Sequence, residues 1–194
     1  MNLTQKILLI AAGLALPGLA LAHPGHEHAS GLLSGLAHPL FGLDHLLAML
    51  AVGLWGAQLG GRARWALPVL FVGVMLLGGG LGLAGLALPG VEHGIVASVV
   101  VLGLALLWAR RIPLAYSSLL VAAFALFHGH AHGTEMPGDA SAGLYALGFA
   151  VATAALHLAG LRIGLWLQRR DGMLVSRVVG AGIGLVGLGM AVSM

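Results

Sequence analysis

The sequence contains no cysteine, which excludes disulfides, thiolate metal sites and iron–sulfur clusters. Charge is scarce as well. Asp, Glu, Lys and Arg make up 8% of 194 residues and apolar types 59%, whereas soluble domains carry about 25% charged residues. A water-soluble fold would have too little polar surface to cover this much apolar side chain. Soluble enzymes, nucleic-acid-binding domains and disordered regulators are therefore excluded. Six of the nine Lys and Arg residues fall in three dispersed pairs and three stand alone, so they form no basic patch for nucleic acid. A glycine run at Gly78-Gly79-Gly80 lacks the following Lys-Ser/Thr of a phosphate loop, so no nucleotide site is legible. What the chain does have is a mean hydropathy of +1.01. It also has 32 glycines, and 10 histidines that outnumber the 6 acidic residues.

Residues 1–22, MNLTQKILLIAAGLALPGLALA, have the pattern of a cleavable signal peptide. Lys6 gives a basic start, Ile7 to Leu16 an apolar stretch, and Ala20-Leu21-Ala22 a small-x-small cleavage site. An uncleaved signal anchor is the alternative. Residues 23–194 then form one transmembrane domain, opened by a short His-rich segment. Spanning a bilayer takes about 20 mostly apolar residues. The segments 33–57, 66–88, 93–109, 113–131, 142–166 and 173–193 meet that length closely enough. The expected fold is an all-α, six-transmembrane-helix bundle whose short loops make sequential helices antiparallel neighbours.

Charge sets the orientation. Arg62 and Arg64 follow the first span, Arg110 and Arg111 the third, and Arg169 and Arg170 the fifth, with Arg162 and Arg177 flanking that last loop. The other connections carry no Lys or Arg. The positive-inside bias places the arginine loops in the cytoplasm and both mature termini in the periplasm of a bacterial inner membrane. Glycine is abundant within the spans, notably Gly78–Gly80 with Gly82, and Gly180, Gly184 and Gly187. Small residues at such spacing let helix backbones approach in lipid, though the Gly78–Gly80 run could instead break a helix.

The histidines sort against the arginines. His23, His26 and His28 lie in HPGHEH at the mature amino terminus. His93 opens the third span beside Glu92, and His128, His130 and His132 close the fourth in FHGHAHG. His38 and His45 sit in the outer half of the first span, in HPLFGLDH. Only His157, in AALHLAG, lies deeper. On a straight helix His38 and His45 stand about 10 Å apart along the axis and cannot share an ion. Pro39 allows a bend or a late helix start, and Gly42 clears room on the same face. Asp44 is an anion within the membrane, a costly group whose default reading is functional; the alternative is a capping or packing role. His128 and His132, one turn apart, share a helix face and could chelate a cation, whereas His130 points elsewhere. His157 is either a pathway ligand or a core histidine bonded to a backbone carbonyl. Met49, a turn below His45, reads as core.

Imidazole and carboxylate without thiolate suit Ni²⁺, Co²⁺, Zn²⁺, Cu²⁺ or Fe²⁺. The candidate metal-ligating set is His38, Asp44, His45, His128, His132 and His157, with His23, His26 and His93 as outer members. The leader, the six-span pattern, HPLFGLDHLLAMLAVG (38–53), FHGHAHG (127–133) and His157 together resemble the HupE/UreJ family of small bacterial inner-membrane proteins. That resemblance covers essentially the whole mature chain. It implies a secondary permease for nickel or cobalt, associated with metal supply to hydrogenase or urease and holding no tightly bound cofactor. His38, Asp44, His45, His128 and His132 match its motifs. A looser likeness to the wider nickel/cobalt transporter family fails in spacing, since five residues rather than four separate His38 from Asp44.

Three other readings compete with transport. In a membrane haem protein, histidines would pair across helices at matching depth. A metal-binding accessory or sensor would use the outer histidines without passage. An intramembrane hydrolase would need a general base, and Glu92 and Glu135 fall in external loops.

Overall fold

The computed structural model describes residues 31–136, 138, 141–169 and 172–194. The expected signal peptide and His23, His26 and His28 lie outside these residues. The described chain is all helical: α1 Gly31–Phe41, α2 Leu43–Leu59, α3 Ala63–Leu83, α4 Val91–Trp108, α5 Leu114–Thr134, α6 Ala142–Gln168 and α7 Met173–Val192. By length and composition the last five can each cross a membrane, and α1 with α2 forms a sixth, broken span. The protein is an all-α, multi-pass membrane protein.

The span expected over 33–57, with its bend or late start at Pro39, is two helices bent by 80°. The break falls at Gly42, which adopts an extended conformation, and not at Pro39, which α1 accommodates in its interior. A Cβ at Gly42 would stand 3.1 Å from Asp44 Oδ1 and 3.2 Å from His45 Nδ1. The absent side chain therefore leaves room for both groups at the corner. Elsewhere the sequence spans hold to within a few residues. The fourth runs longer than expected, to Thr134, so His128, His130 and His132 are all helical.

Helix pairing departs from sequence order. The principal contacts are α3 with α5, α4 with α7, and both α1 and α2 with the 27-residue α6, not sequential neighbours. Glycine explains the partners. A Cβ on Gly78 would lie 2.5 Å from Leu126 O, and Gly82, Gly129 and Gly133 continue the same seam between α3 and α5. α3 runs unbroken through Gly78–Gly80, so that stretch serves packing. Gly103, Gly180 and Gly187 bring α4 against α7, while Gly53 and Gly160 seat α2 on α6. Lipid supplies no hydrophobic force between helices, so backbone approach at small residues decides which surfaces meet.

The core holds Met49, Trp55, Leu67, Phe71, Met75, Val99 and Leu102, all essentially inaccessible. Large apolar side chains such as Leu77, Leu119 and Leu185 point outward, as a lipid-facing surface requires. Trp65, Trp108, Tyr116 and Trp166 are exposed near the helix ends that carry the arginines. Aromatic side chains at that level are the usual membrane–water anchors.

Candidate metal site

The bend at Gly42 aims the end of α1 and the start of α2 at the last turns of α5. Four histidine rings separated by up to 94 residues meet there. The His38 ring lies 4.6 Å from that of His132, His132 lies 4.4 Å from His45, and His45 lies 4.6 Å from His128, all edge to face. A row results, running from the half-exposed His38 inward to the fully buried His128. Beyond it the Phe71 ring stands 5.6 Å from His128 and 5.0 Å from His157. His157 is fully buried on α6, with its backbone against Gly53. Gly53 follows His45 by eight residues of α2, so His157 sits about 12 Å deeper in the bundle.

Hydrogen bonds orient several of these rings. Asp44 Oδ1 accepts from His45 Nδ1 at 2.7 Å and also from the His45 backbone amide. Nδ1 carries the proton in that pair, so Nε2 keeps its lone pair, buried and without a partner. Asp44 lies in the first turn of α2, where the helix dipole favours an anion. Ser98 of α4 donates its hydroxyl proton to Ile95 O at 2.6 Å, so its oxygen accepts from His128 Nε2 at 2.9 Å. That leaves the unprotonated Nδ1 of His128 unpaired and buried. Both ring nitrogens of His132 and of His157 are also buried and unpartnered. The alternative in which His157 bonds a backbone carbonyl does not hold.

At the outer end His38 Nε2 contacts Glu135 Oε2 at 3.3 Å. Hydrogen bonding from His38 holds the Glu135 carboxyl below its ordinary range. Among the described residues, ligand atoms of His38, His132 and Glu135 come within 4.8 Å of one another, close enough for one ion. In the sequence Glu135 reads as an external-loop acid. Its spacing of three from His132 was the available signal, since residues so spaced share a helix face. Ser98 and Phe71 carried no such signal.

His130, as expected, points away: its Nε2 donates to Leu86 O at 2.7 Å and ties α5 to the loop after α3. His93 lies exposed in the first turn of α4, apart from the ring contacts of the row. Met49 is a fully buried core side chain. Next to His132 a cavity of about 140 Å³ opens between α3, α5 and α6, lined by Met75, Tyr145 and Phe149 among others.

Unpartnered ring nitrogens buried in close contact are costly unless something satisfies them, and neutral imidazole lone pairs are ligands for borderline transition-metal ions. The fold and its row define a polytopic helical membrane protein with a cluster of buried imidazoles at one end of its bundle. The chain belongs to the HupE / UreJ protein family, which it matches over residues 10–190. It is 46% identical over 188 residues to Protein HupE of Rhizobium leguminosarum bv. viciae, covering 97% of this chain and 98% of that relative. No solved structure matches it. The family is one of membrane metal-transport and accessory proteins, not of enzymes.

Proposed function

We propose that the protein is a secondary permease that takes a divalent transition metal into the cell, nickel foremost and cobalt second. The observation carrying this reading is the set of buried, unpartnered lone pairs on His45 Nε2, His128 Nδ1, His132 and His157. They supply nitrogen ligands that can replace an ion's hydration shell step by step, from the mouth inward. Glu135 and His38 receive the ion, His132, His45 and His128 pass it on, and His157 is the deepest ligand. Asp44 acts through His45, fixing its tautomer and ring orientation as outer-shell carboxylates do. Its negative charge also offsets part of the ion's charge. His23, His26 and His93 belong to outer capture. The choice of nickel or cobalt comes from the family, which supports a nickel/cobalt-related membrane protein, since imidazole and carboxylate alone admit several metals.

The histidine end faces the periplasm and the arginine loops the cytoplasm of the bacterial inner membrane, which also puts both mature termini outside. The positive-inside bias and the exposed Trp65, Trp108, Tyr116 and Trp166 support that orientation. Inward movement of a divalent ion then gains about 4.6 kcal/mol per 100 mV of inside-negative potential, so no nucleotide is needed. The metal delivered would supply nickel-enzyme maturation, of hydrogenase or urease. The haem reading fits poorly, because edge-to-face rings 4.4–4.6 Å apart leave no space for a macrocycle between them. One observation favours an accessory role without passage: Phe71 closes the row above His157.

The deciding experiment is radioactive nickel uptake into proteoliposomes under an imposed inside-negative potential, with cobalt, zinc and copper as competitors. Potential-dependent accumulation that is lost in Asp44→Ala, with membrane insertion intact, supports the permease. Tight binding without accumulation supports the accessory reading instead.

A further inference from the structure

A partly polar cavity of about 460 Å³ lies at the end of the bundle opposite the histidine row. Leu54 and Gln58 of α2, Arg111 of the α4–α5 connection, Gly164 of α6 and Ser176 of α7 line it. Gln58 Nε2 donates to Leu106 O at 3.1 Å, which fixes the carboxamide. Its Oε1 is left buried and without a partner. A buried acceptor of that kind calls for a water or a cation.

The cavity stops short of His157. On α6 Gly164 follows His157 by seven residues, about 10 Å along the axis. On α2 the lining begins at Leu54, immediately after the Gly53 that meets the His157 backbone. Leu54 and Leu161, 5% and 3% exposed, occupy the interval. Arg162, the charged residue of this stretch, is exposed on the other face of α6. The contacts holding the interval shut are made by glycine. A Cβ on Gly53 would meet Leu161 N at 2.7 Å, and one on Gly164 would meet Leu54 O at 3.3 Å. Without those side chains α2 and α6 touch through smooth backbone, a surface on which a small slide or rotation can move Leu54 aside.

Building on the permease reading, we propose that this cavity is the release site for the transported cation on the arginine-bearing face, and that Leu54 with Leu161 forms the apolar gate separating it from His157. An apolar constriction of this kind blocks a hydrated ion until it widens and wets. Gln58 Oε1 offers the ion one neutral oxygen, a far weaker ligand than the imidazoles behind it. Arg111, also in the wall, repels a cation that lingers. Strong nitrogen ligands at the entry and a poor, positively charged site at the exit give the ion a reason to leave.

Because the chain has no cysteine, single thiols can be placed in the full-length protein without background. Ser176→Cys and Leu54→Cys are treated with a charged, membrane-impermeant thiol reagent in right-side-out and inside-out bacterial membrane vesicles. Ser176→Cys is expected to react only in inside-out vesicles. Leu54→Cys is expected to stay unreactive from both faces without metal, and to become reactive from that same face during nickel transport. In proteoliposomes Leu54→Trp is expected to lower nickel uptake about tenfold or more, as a jammed constriction should, with nickel binding to the purified protein unchanged. Gln58→Leu is expected to lower the maximal rate while leaving the half-saturating nickel concentration unaltered. A Ser176→Cys thiol inert from both faces overturns the release cavity. Metal-independent labelling of Leu54→Cys, or wild-type uptake in Leu54→Trp, overturns the gate. Failure of the wild type to accumulate nickel removes the permease reading and the release role with it. Failure of the labelling or gate variants alone, with wild-type uptake intact, removes only this inference.

Discussion

Asp44 and His45 are adjacent in the first turn of α2, just past the corner that Gly42 makes, and their side chains bond each other at 2.7 Å. The carboxylate holds the proton side of a ring that lies 4.4 Å from that of His132 and 4.6 Å from that of His128, and the opposite nitrogen is buried with its lone pair free. Asp44→Asn keeps the shape and removes the charge. It is expected to weaken nickel binding about 10- to 100-fold, the usual cost of losing an outer-shell carboxylate. Equilibrium binding to purified protein, read beside uptake, checks this. Unchanged affinity would show that His45 does not depend on its neighbour.

Ser98 plays the corresponding part for His128, from a different helix. Ser98→Ala frees the ring to rotate or change tautomer, and is expected to reduce nickel affinity about tenfold. Ser98→Thr keeps the hydroxyl and should restore most of it. A rise in half-saturating nickel with a preserved maximal rate is the expected kinetic signature.

His130 and His132 separate packing from ligation on one turn of α5. His130 is committed to the Leu86 carbonyl, whereas both ring nitrogens of His132 are unpartnered. His130→Ala should cost about 1 kcal/mol of stability for the lost hydrogen bond and leave uptake largely intact. His132→Ala should do the reverse: uptake falls at least about tenfold, with thermal stability in detergent preserved. Equal losses of uptake in both variants would argue against the row.

The α3–α5 seam gives a prediction about stability alone. A Cβ on Gly129 would strike the Met75 backbone, whose carbonyl carbon lies 2.7 Å from that position. Gly129→Val is expected to cost about 1–3 kcal/mol or more through overpacking, and to lower the unfolding temperature in detergent. Gly73→Val on α3, the helix that carries Met75, points into open space and should change little.

Much of this protein could be read along the chain. Hydropathy is a local property, so five of the six spans fall within a few residues of the helices observed. The grouping of His38, His45, His128 and His132 near one end of the bundle also follows from counting residues between charged loops. The chemistry of the ligand set needs only the residue types present and the absence of cysteine. The leader, the six-span pattern, HPLFGLDHLLAMLAVG, FHGHAHG and His157 together resemble the family to which the chain belongs.

Tertiary structure decided the rest. His38 and His45 lie too far apart on a straight helix, and only the 80° bend at Gly42 lets both approach His132. Glu135 and Ser98 join the row through contacts across 97 and 30 positions, distances over which sequence spacing carries no geometry. The pairing of α3 with α5 and of α4 with α7 was equally hidden. In lipid every helix face is apolar, so hydropathy names the helices but not their partners. The partners are chosen where glycines far apart in sequence let two backbones touch.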